Sequence, residues 1–137
     1  MADITITGKK QIKTINKEFQ EKFPYLMLTL LTTEEWEKAR SQGGSRKALP
    51  GNITLAAART VTPKTTSDIS IHGRTKVKTL EDNFVKEYGL HIQIGFGDKD
   101  GKLFYTGDES DDMSLTQLNK AMEEKGMKKK PRLDSYK

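Results

Sequence analysis

The two histidines have the widest chemical range in this chain, because an imidazole can carry protons or bind a metal ion near neutral pH. His72 and His91 both fall in predicted strands of the second half, where neighbouring strands could bring them together. No third ligand follows at a metal-type spacing, and the chain has no cysteine. A structural role is the simpler interpretation, and the sequence predicts no catalytic residue, metal site or cofactor.

Acidic residues between Asp98 and Asp112 could attract a hard cation such as Mg²⁺ or Ca²⁺. The EF-hand pattern fails here, because placing Gly101 at the sixth position of the loop puts Phe96 at the first and Gly107 at the twelfth. We interpret these carboxylates as an acidic cap on a loop. The sequence also contains no phosphate-binding loop and no nucleophile elbow, which makes an enzyme the less favoured class.

Lysines and arginines could bind nucleic acid through its phosphates. The net charge is +5, but residues 1–67 carry 11 basic against 6 acidic residues, residues 68–127 carry 8 against 12, and residues 128–137 carry 5 against 1. The charge is therefore bipolar and does not indicate a single basic face. Weak nucleic-acid binding without sequence specificity is one alternative for the function. Its candidate residues are Lys9, Lys10, Lys13, Lys17, Lys128, Lys129, Lys130 and Arg132.

An internal repeat organises the chain. Residues 3–31 align without a gap with residues 68–96, at an offset of 65 positions. Besides the identical residues, the apolar positions also match, so the alignment preserves the residues that would be buried. The identical residues are Asp3, Ile4, Ile6, Gly8, Lys13, Thr14 and Phe19, matched by Asp68, Ile69, Ile71, Gly73, Lys78, Thr79 and Phe84.

Each copy reads as a β-α-β unit. A short alternating strand and a glycine come first, then a helix that ends at Pro24 or Gly89, then a second strand over 25–31 or 90–96. A short crossover favours parallel pairing, and the strand over 25–31, apolar on both faces, is expected to be central. The helical stripes are Ile12, Ile15, Phe19 and Phe23, and Val77, Leu80, Phe84 and Tyr88.

After these units the copies differ. The second continues through an Asp100-Gly101 turn into an aromatic strand, which predicts a hairpin. The first has instead a predicted helix over 33–40, with Thr33 as its cap and Trp36 as its apolar anchor. Both copies then end in short helices, which we expect Thr54 and Ser114 to cap.

These patterns predict an α+β fold of two tandem β-α-β repeats that share one mixed sheet, with helices packed mainly on one face. The first repeat spans 1–60 and includes a loop over 41–52, and residues 61–67 form a linker. The second repeat, β-α-β-β-α, spans 68–127. Residues 128–137 are predicted to be a basic disordered tail.

The composition, 34% hydrophobic and 31% charged, is typical of a globular protein rather than a disordered chain. The sequence shows no apolar leader and no apolar run near the roughly 20 residues that span a bilayer. We therefore expect a cytoplasmic protein without a membrane partner.

The stretches DISIHGRTKVKTLEDNFVKEYG and GLHIQIGFGDKDGKLFYTGDESDDMSLTQLNK resemble a pattern in a family of small, uncharacterised bacterial proteins. That family is described as having a parvulin-like prolyl-isomerase fold and DNA binding. The resemblance covers most of residues 68–126 and, faintly, the first copy. It implies a prolyl-isomerase-like enzyme as a second alternative, in which His72 and His91 would supply part of a polar cluster.

The leading hypothesis is a small, non-enzymatic interaction module that binds a macromolecular partner, in the first place a protein. The predicted contact surface is either an exposed strand edge or the region of Trp36 with Arg46 and Lys47 in the loop over 41–52. The partner and the oligomeric state stay open at this point.

Overall fold

The computed structural model describes residues 4–42, 49–60, 69–100, 102–105 and 112–131. They form an α+β fold, as predicted. The elements in chain order are β1 (Ile4–Ile6), α1 (Ile12–Lys22), β2 (Met27–Leu31), α2 (Thr33–Gln42), α3 (Leu55–Ala58), β3 (Ile69–Ile71), α4 (Val77–Tyr88), β4 (His91–Gly97), β5 (Leu103–Tyr105) and α5 (Leu115–Glu124).

The described strands form two antiparallel sheets rather than the single mixed sheet that the sequence predicts. One sheet pairs β1 with β3, and the other has the order β2-β4-β5. The predicted parallel pairing within each unit is wrong, because β1 pairs with β3 and β2 pairs with β4, both antiparallel and both between the halves. The rule for crossover connections between parallel strands therefore does not apply to these antiparallel sheets.

The ladders between the halves join strands that correspond at the 65-residue offset, β1 with β3 and β2 with β4. Thr5 lies opposite Ser70, its counterpart at that offset. In the larger sheet the counterparts are displaced by one residue, since Leu28 lies opposite Ile94 and Thr29 lies opposite Gln93.

The starts of the two longer helices also correspond between the halves. The N–H of Ile12 at the start of α1 donates to the carbonyl of Ile53 (2.9 Å), and the N–H of Val77 at the start of α4 donates to the carbonyl of Met113 (3.0 Å). In each half, the segment that precedes the short helix satisfies one of the free N–H groups of the longer helix.

Helix ends follow the predicted capping with one exception. The Thr54 hydroxyl accepts from Ala57 N–H, and Ser114 forms a capping box with Gln117. The exception is α2, where the Thr32 hydroxyl, not that of Thr33, accepts from the N–H of residue 35 (3.2 Å). Thr32, the residue that follows β2, is therefore the N-cap of α2.

One hydrophobic core contains residues of both halves. The predicted stripes of α1 and α4 are buried in it. Helix α1 packs on β2 and α4 packs on β4, against Leu28, Leu30, Ile92 and Ile94. Because neither stripe has a separate core of its own, the two halves stabilise each other.

Strand β2 was predicted to be central, but it lies at an edge of its sheet, and β4 is central. Buried amide side chains of α1 supply hydrogen-bond partners along this edge, which a neighbouring strand would otherwise supply. Leu28 N–H donates to Asn16 Oδ1 (2.8 Å), and Gln20 Nε2 donates to the Leu26 carbonyl (3.1 Å). A main-chain bond, from Leu49 N–H to the Leu30 carbonyl (2.8 Å), adds to them.

Residues 128–131, the described part of the predicted tail, form hydrogen bonds with the folded chain. Lys128 N–H donates to the Gly97 carbonyl (2.9 Å), and Lys130 N–H donates to the Pro24 carbonyl (2.6 Å). The Gln20 amide also donates to the Pro131 carbonyl. This segment therefore joins the end of β4 to the end of α1. The rest of the predicted tail (132–137), the linker over 61–67 and residues 43–48 of the loop over 41–52 lie outside the described residues.

Asn16→Ala tests the closed edge of β2. The change leaves the buried N–H of Leu28 without its acceptor, which costs about 1–3 kcal/mol. We expect that loss in the free energy of unfolding, measured by urea titration. Lys17→Ala, on the exposed side of the same helix, is the control and stays within about 0.5 kcal/mol of the wild type. Equal stability of the two variants would contradict this account of the edge.

Candidate partner-binding edge

A tight turn positions β5 beside β4. Asp98 Oδ1 accepts from the N–H groups of Asp100 (2.9 Å) and Lys102 (2.8 Å), and Asp98 N–H donates to the Lys102 carbonyl (2.9 Å). The predicted hairpin is confirmed, and the Asp98 carboxylate caps its turn. The acidic residues over 106–111 lie outside the described residues.

The outer edge of β5 is open within the described part of the chain. Since Asp98 and Lys102 bond through their main chains, the antiparallel alternation directs the main chain of Phe104 towards β4 and directs those of Leu103 and Tyr105 away from it. No hydrogen bond from another described residue reaches these outward groups. The opposite edge of the sheet, by contrast, is closed by α1.

An exposed aromatic ring lies beside this edge. The side chain of Phe104 is 37% exposed, and its ring stacks on Phe96 with centroids 5.6 Å apart. Lys102 places its Nζ 5.5 Å from the centroid of the Phe104 ring. Among the described residues, Phe104 and Val85 are the exposed large apolar side chains. The edge therefore combines main-chain groups that have no described partner with an apolar surface and a cation.

Trp36 lies at the other end of β4. Its ring stacks on His91, the first residue of that strand, with centroids 4.2 Å apart and an interplanar angle of 15°. The tryptophan is half-buried, so part of its surface already packs within the fold. Arg46 and Lys47, predicted to share its contact surface, lie outside the described residues.

The two histidines are not on neighbouring strands. His91 belongs to the three-stranded sheet, while His72 follows β3 in the two-stranded sheet. The side chain of His72 is exposed, at the rim of a shallow depression near the start of α5. Ser114, which also lines it, uses its hydroxyl in the capping box. Within the described residues, no group of three or more His, Asp or Glu side chains could hold a metal ion.

The lysines predicted for nucleic-acid binding are exposed with one exception. Lys10 is partly buried, and its Nζ lies 2.8 Å from Glu18 Oε1 and 2.6 Å from the Thr5 carbonyl. Lys129 lies over the Tyr25 ring, with its Nζ 5.9 Å from the centroid. The exposed candidates are Lys9, Lys13, Lys17, Lys128, Lys129 and Lys130, and Arg132 lies outside the described residues.

The sequence pointed to strand edges in general but did not single out Lys102, Leu103 or Phe104 as site residues. One signal was available. The aromatic strand follows an Asp-Gly turn, and no further strand is predicted before the helix that begins after Ser114. A strand with a single neighbour along the chain is a candidate for an edge.

Comparison of the chain with protein-family models, with curated proteins and with solved structures finds no match. The resemblance to the bacterial family therefore stays a prediction. In the described part of the chain, no helix combines the length and apolar character required to cross a membrane.

Gly95→Ala tests the close approach of β5. A Cβ at this position would lie 2.6 Å from Met27 Cε and 2.7 Å from the Phe104 carbonyl oxygen, so a strand would have to shift. We expect a loss of about 1–3 kcal/mol in the free energy of unfolding, measured in urea. The control is Gly8→Ala, whose Cβ would lie 3.3 Å from Ala56 Cβ and should cost less. A larger loss in the control would refute this packing.

The stack of His91 on Trp36 predicts a pH dependence. Burial lowers the pKa of His91 below its ordinary value of 6.5, and the charge of Glu37 opposes this shift. The unfolded chain therefore binds the proton more readily, so stability should fall as the pH drops below about 6.5 and level off below the folded-state pKa. Urea unfolding followed by the fluorescence of Trp36, the sole tryptophan, measures this.

His91→Phe keeps a ring against Trp36 but cannot be protonated, so this part of the pH dependence should disappear. His72→Phe, at an exposed position, serves as the control and should retain it. The assignment to His91 is wrong if both variants follow the wild-type curve.

Proposed function

We propose that this chain is a small protein-binding module that takes up an extended segment of a partner protein beside β5, as an added strand. The observation that carries the proposal is the contrast between the two edges of one sheet. Side chains of α1 close the edge at β2, whereas the edge at β5 has outward main-chain groups without a described partner.

The chemistry of strand addition fits this edge. Main-chain hydrogen bonds to Leu103 and Tyr105 would hold any extended segment, and each contributes about 0.5–1.5 kcal/mol. The Phe104 ring would add cross-strand contacts, which contribute roughly 0.2–1 kcal/mol for an aromatic pair. Since the strand has three residues, side-chain contacts must supply much of the affinity.

We also infer that the module arose from duplication of one β-α-β unit. The pairing of each strand with its counterpart in the other half and the matching helix starts support this inference. The copies differ where β4 gains the hairpin strand β5, since the corresponding edge of β2 is covered by Asn16 and Gln20 of α1. On this proposal, the binding edge is an addition to the second copy.

The other functional hypotheses receive less support. The described residues give no support to a prolyl-isomerase-like site, because His91 lies in the three-stranded sheet and His72 follows a strand of the two-stranded sheet. Weak nucleic-acid binding keeps its exposed lysines, but Lys10 is occupied by an ion pair with Glu18. A protein contact at Trp36 stays the competing surface, and the experiment below separates it from the edge.

Leu103→Pro tests strand addition directly. Proline removes an N–H that points away from β4, so the β4–β5 ladder keeps its own bonds while an added strand loses a donor. A phage-displayed library of random 12-residue peptides selects ligands for the wild-type protein. We expect Leu103→Pro to bind the selected peptides at least about tenfold more weakly, which corresponds to about 1.4 kcal/mol.

Leu103→Ala retains the N–H and is the matched control, with affinity close to that of the wild type. Trp36→Ala should also bind normally. If Trp36→Ala loses binding and Leu103→Pro does not, the contact surface lies at the tryptophan instead. Failure of the wild type to select any peptide refutes the proposed function, provided that the urea unfolding curve shows a folded protein.

A further inference from the structure

Lys102 lies at the proposed binding edge without an ion pair to any described acidic residue. Its side chain is exposed, and its Nζ lies over the Phe104 ring. The Asp98 carboxylate accepts from the main-chain N–H of Lys102, which fixes the turn.

The spacing of Lys102 and Phe104 defines a pattern for an added strand. Residues two positions apart lie on the same face of a strand, so these two side chains share a face and Leu103 lies on the other. Phe96, on the neighbouring strand, stacks against Phe104 and extends its apolar surface. An incoming strand would therefore meet an aromatic ring and, two residues away, a cation.

We infer that the partner segment carries an apolar residue followed, two positions later, by an acidic residue. This inference rests on the proposed function and names the chemistry of its partner. In antiparallel pairing, the partner residue opposite Phe104 comes first and the residue opposite Lys102 comes second. Apolar contact satisfies the exposed ring, and a carboxylate neutralises Lys102 across the strands.

A lysine on an edge strand can instead serve to prevent pairing. The two roles differ in what they predict. If Lys102 only prevents pairing, the affinity for an added strand does not depend on the charge opposite the lysine, and removal of Lys102 leads to self-association. A lysine that recognises an acidic residue makes the affinity depend on the charge opposite it, and reversal of its charge reverses the preference.

The test uses two capped eight-residue peptides that are identical except at one position. Both contain valine followed by threonine, and the next residue is glutamate in one and lysine in the other. Fluorescence polarisation measures their affinities for the full chain and for Lys102→Glu. We expect the wild type to prefer the glutamate peptide by about twofold to fivefold, the range for a cross-strand charge pair. Lys102→Glu should prefer the lysine peptide.

A preference that is absent, or that stays the same in Lys102→Glu, overturns this inference. Strand addition itself survives that outcome if Leu103→Pro abolishes binding of both peptides. If Lys102→Ala, which removes the charge, forms dimers or larger species in size-exclusion chromatography and Lys102→Glu shows no reversed preference, Lys102 blocks the edge and the inference is wrong. If neither peptide binds the wild type and the random library also yields none, the proposed function fails together with the inference.

Discussion

The antiparallel pairing of β2 with β4 is the constraint on which the rest of the structure depends. The main-chain groups of a buried strand need partners, and in each half the two strands of the unit do not pair with each other. Pairing between the halves supplies those partners and brings α1 and α4 onto one core. Strands β1, β2 and β3 thus find their described strand partners in the opposite half, and both halves contribute to one core.

The same constraint explains the polar residues buried in α1. An amide on an otherwise apolar face is costly unless it forms hydrogen bonds. Asn16 and Gln20 lie four residues apart on α1. Asn16 accepts from the N–H of Leu28 in β2, and Gln20 donates to the carbonyl of Leu26, the residue before that strand. They supply hydrogen-bond partners beside β2, as β5 does beside β4. The sheet is therefore closed on one side by side chains and ends on the other in a three-residue strand.

Much of the local structure follows from residue spacing. The stripes of α1 and α4, the caps at Thr54 and Ser114 and the turn after β4 depend on neighbours within a few positions. The pairing of strands does not, because alternation shows which face of a strand is buried but not which strand lies beside it. Strand β2 is apolar on both faces and yet lies at an edge, since Asn16 and Gln20 satisfy its main chain. For the same reason, the open edge of β5 follows from the strand order and not from its own residues.

The attachment of residues 128–131 has a consequence for biosynthesis. Gln20 donates to the carbonyl of Pro131, a residue 111 positions later in the chain. At a translation rate of about 5–20 residues per second, the ribosome needs roughly 5–20 s to add that length. Strand β4 is synthesised in the later part of this interval, and residues 128–131 come last. The first half thus leaves the ribosome before its partner strands exist, and the bond between Gln20 and Pro131 can form only after translation has passed residue 131.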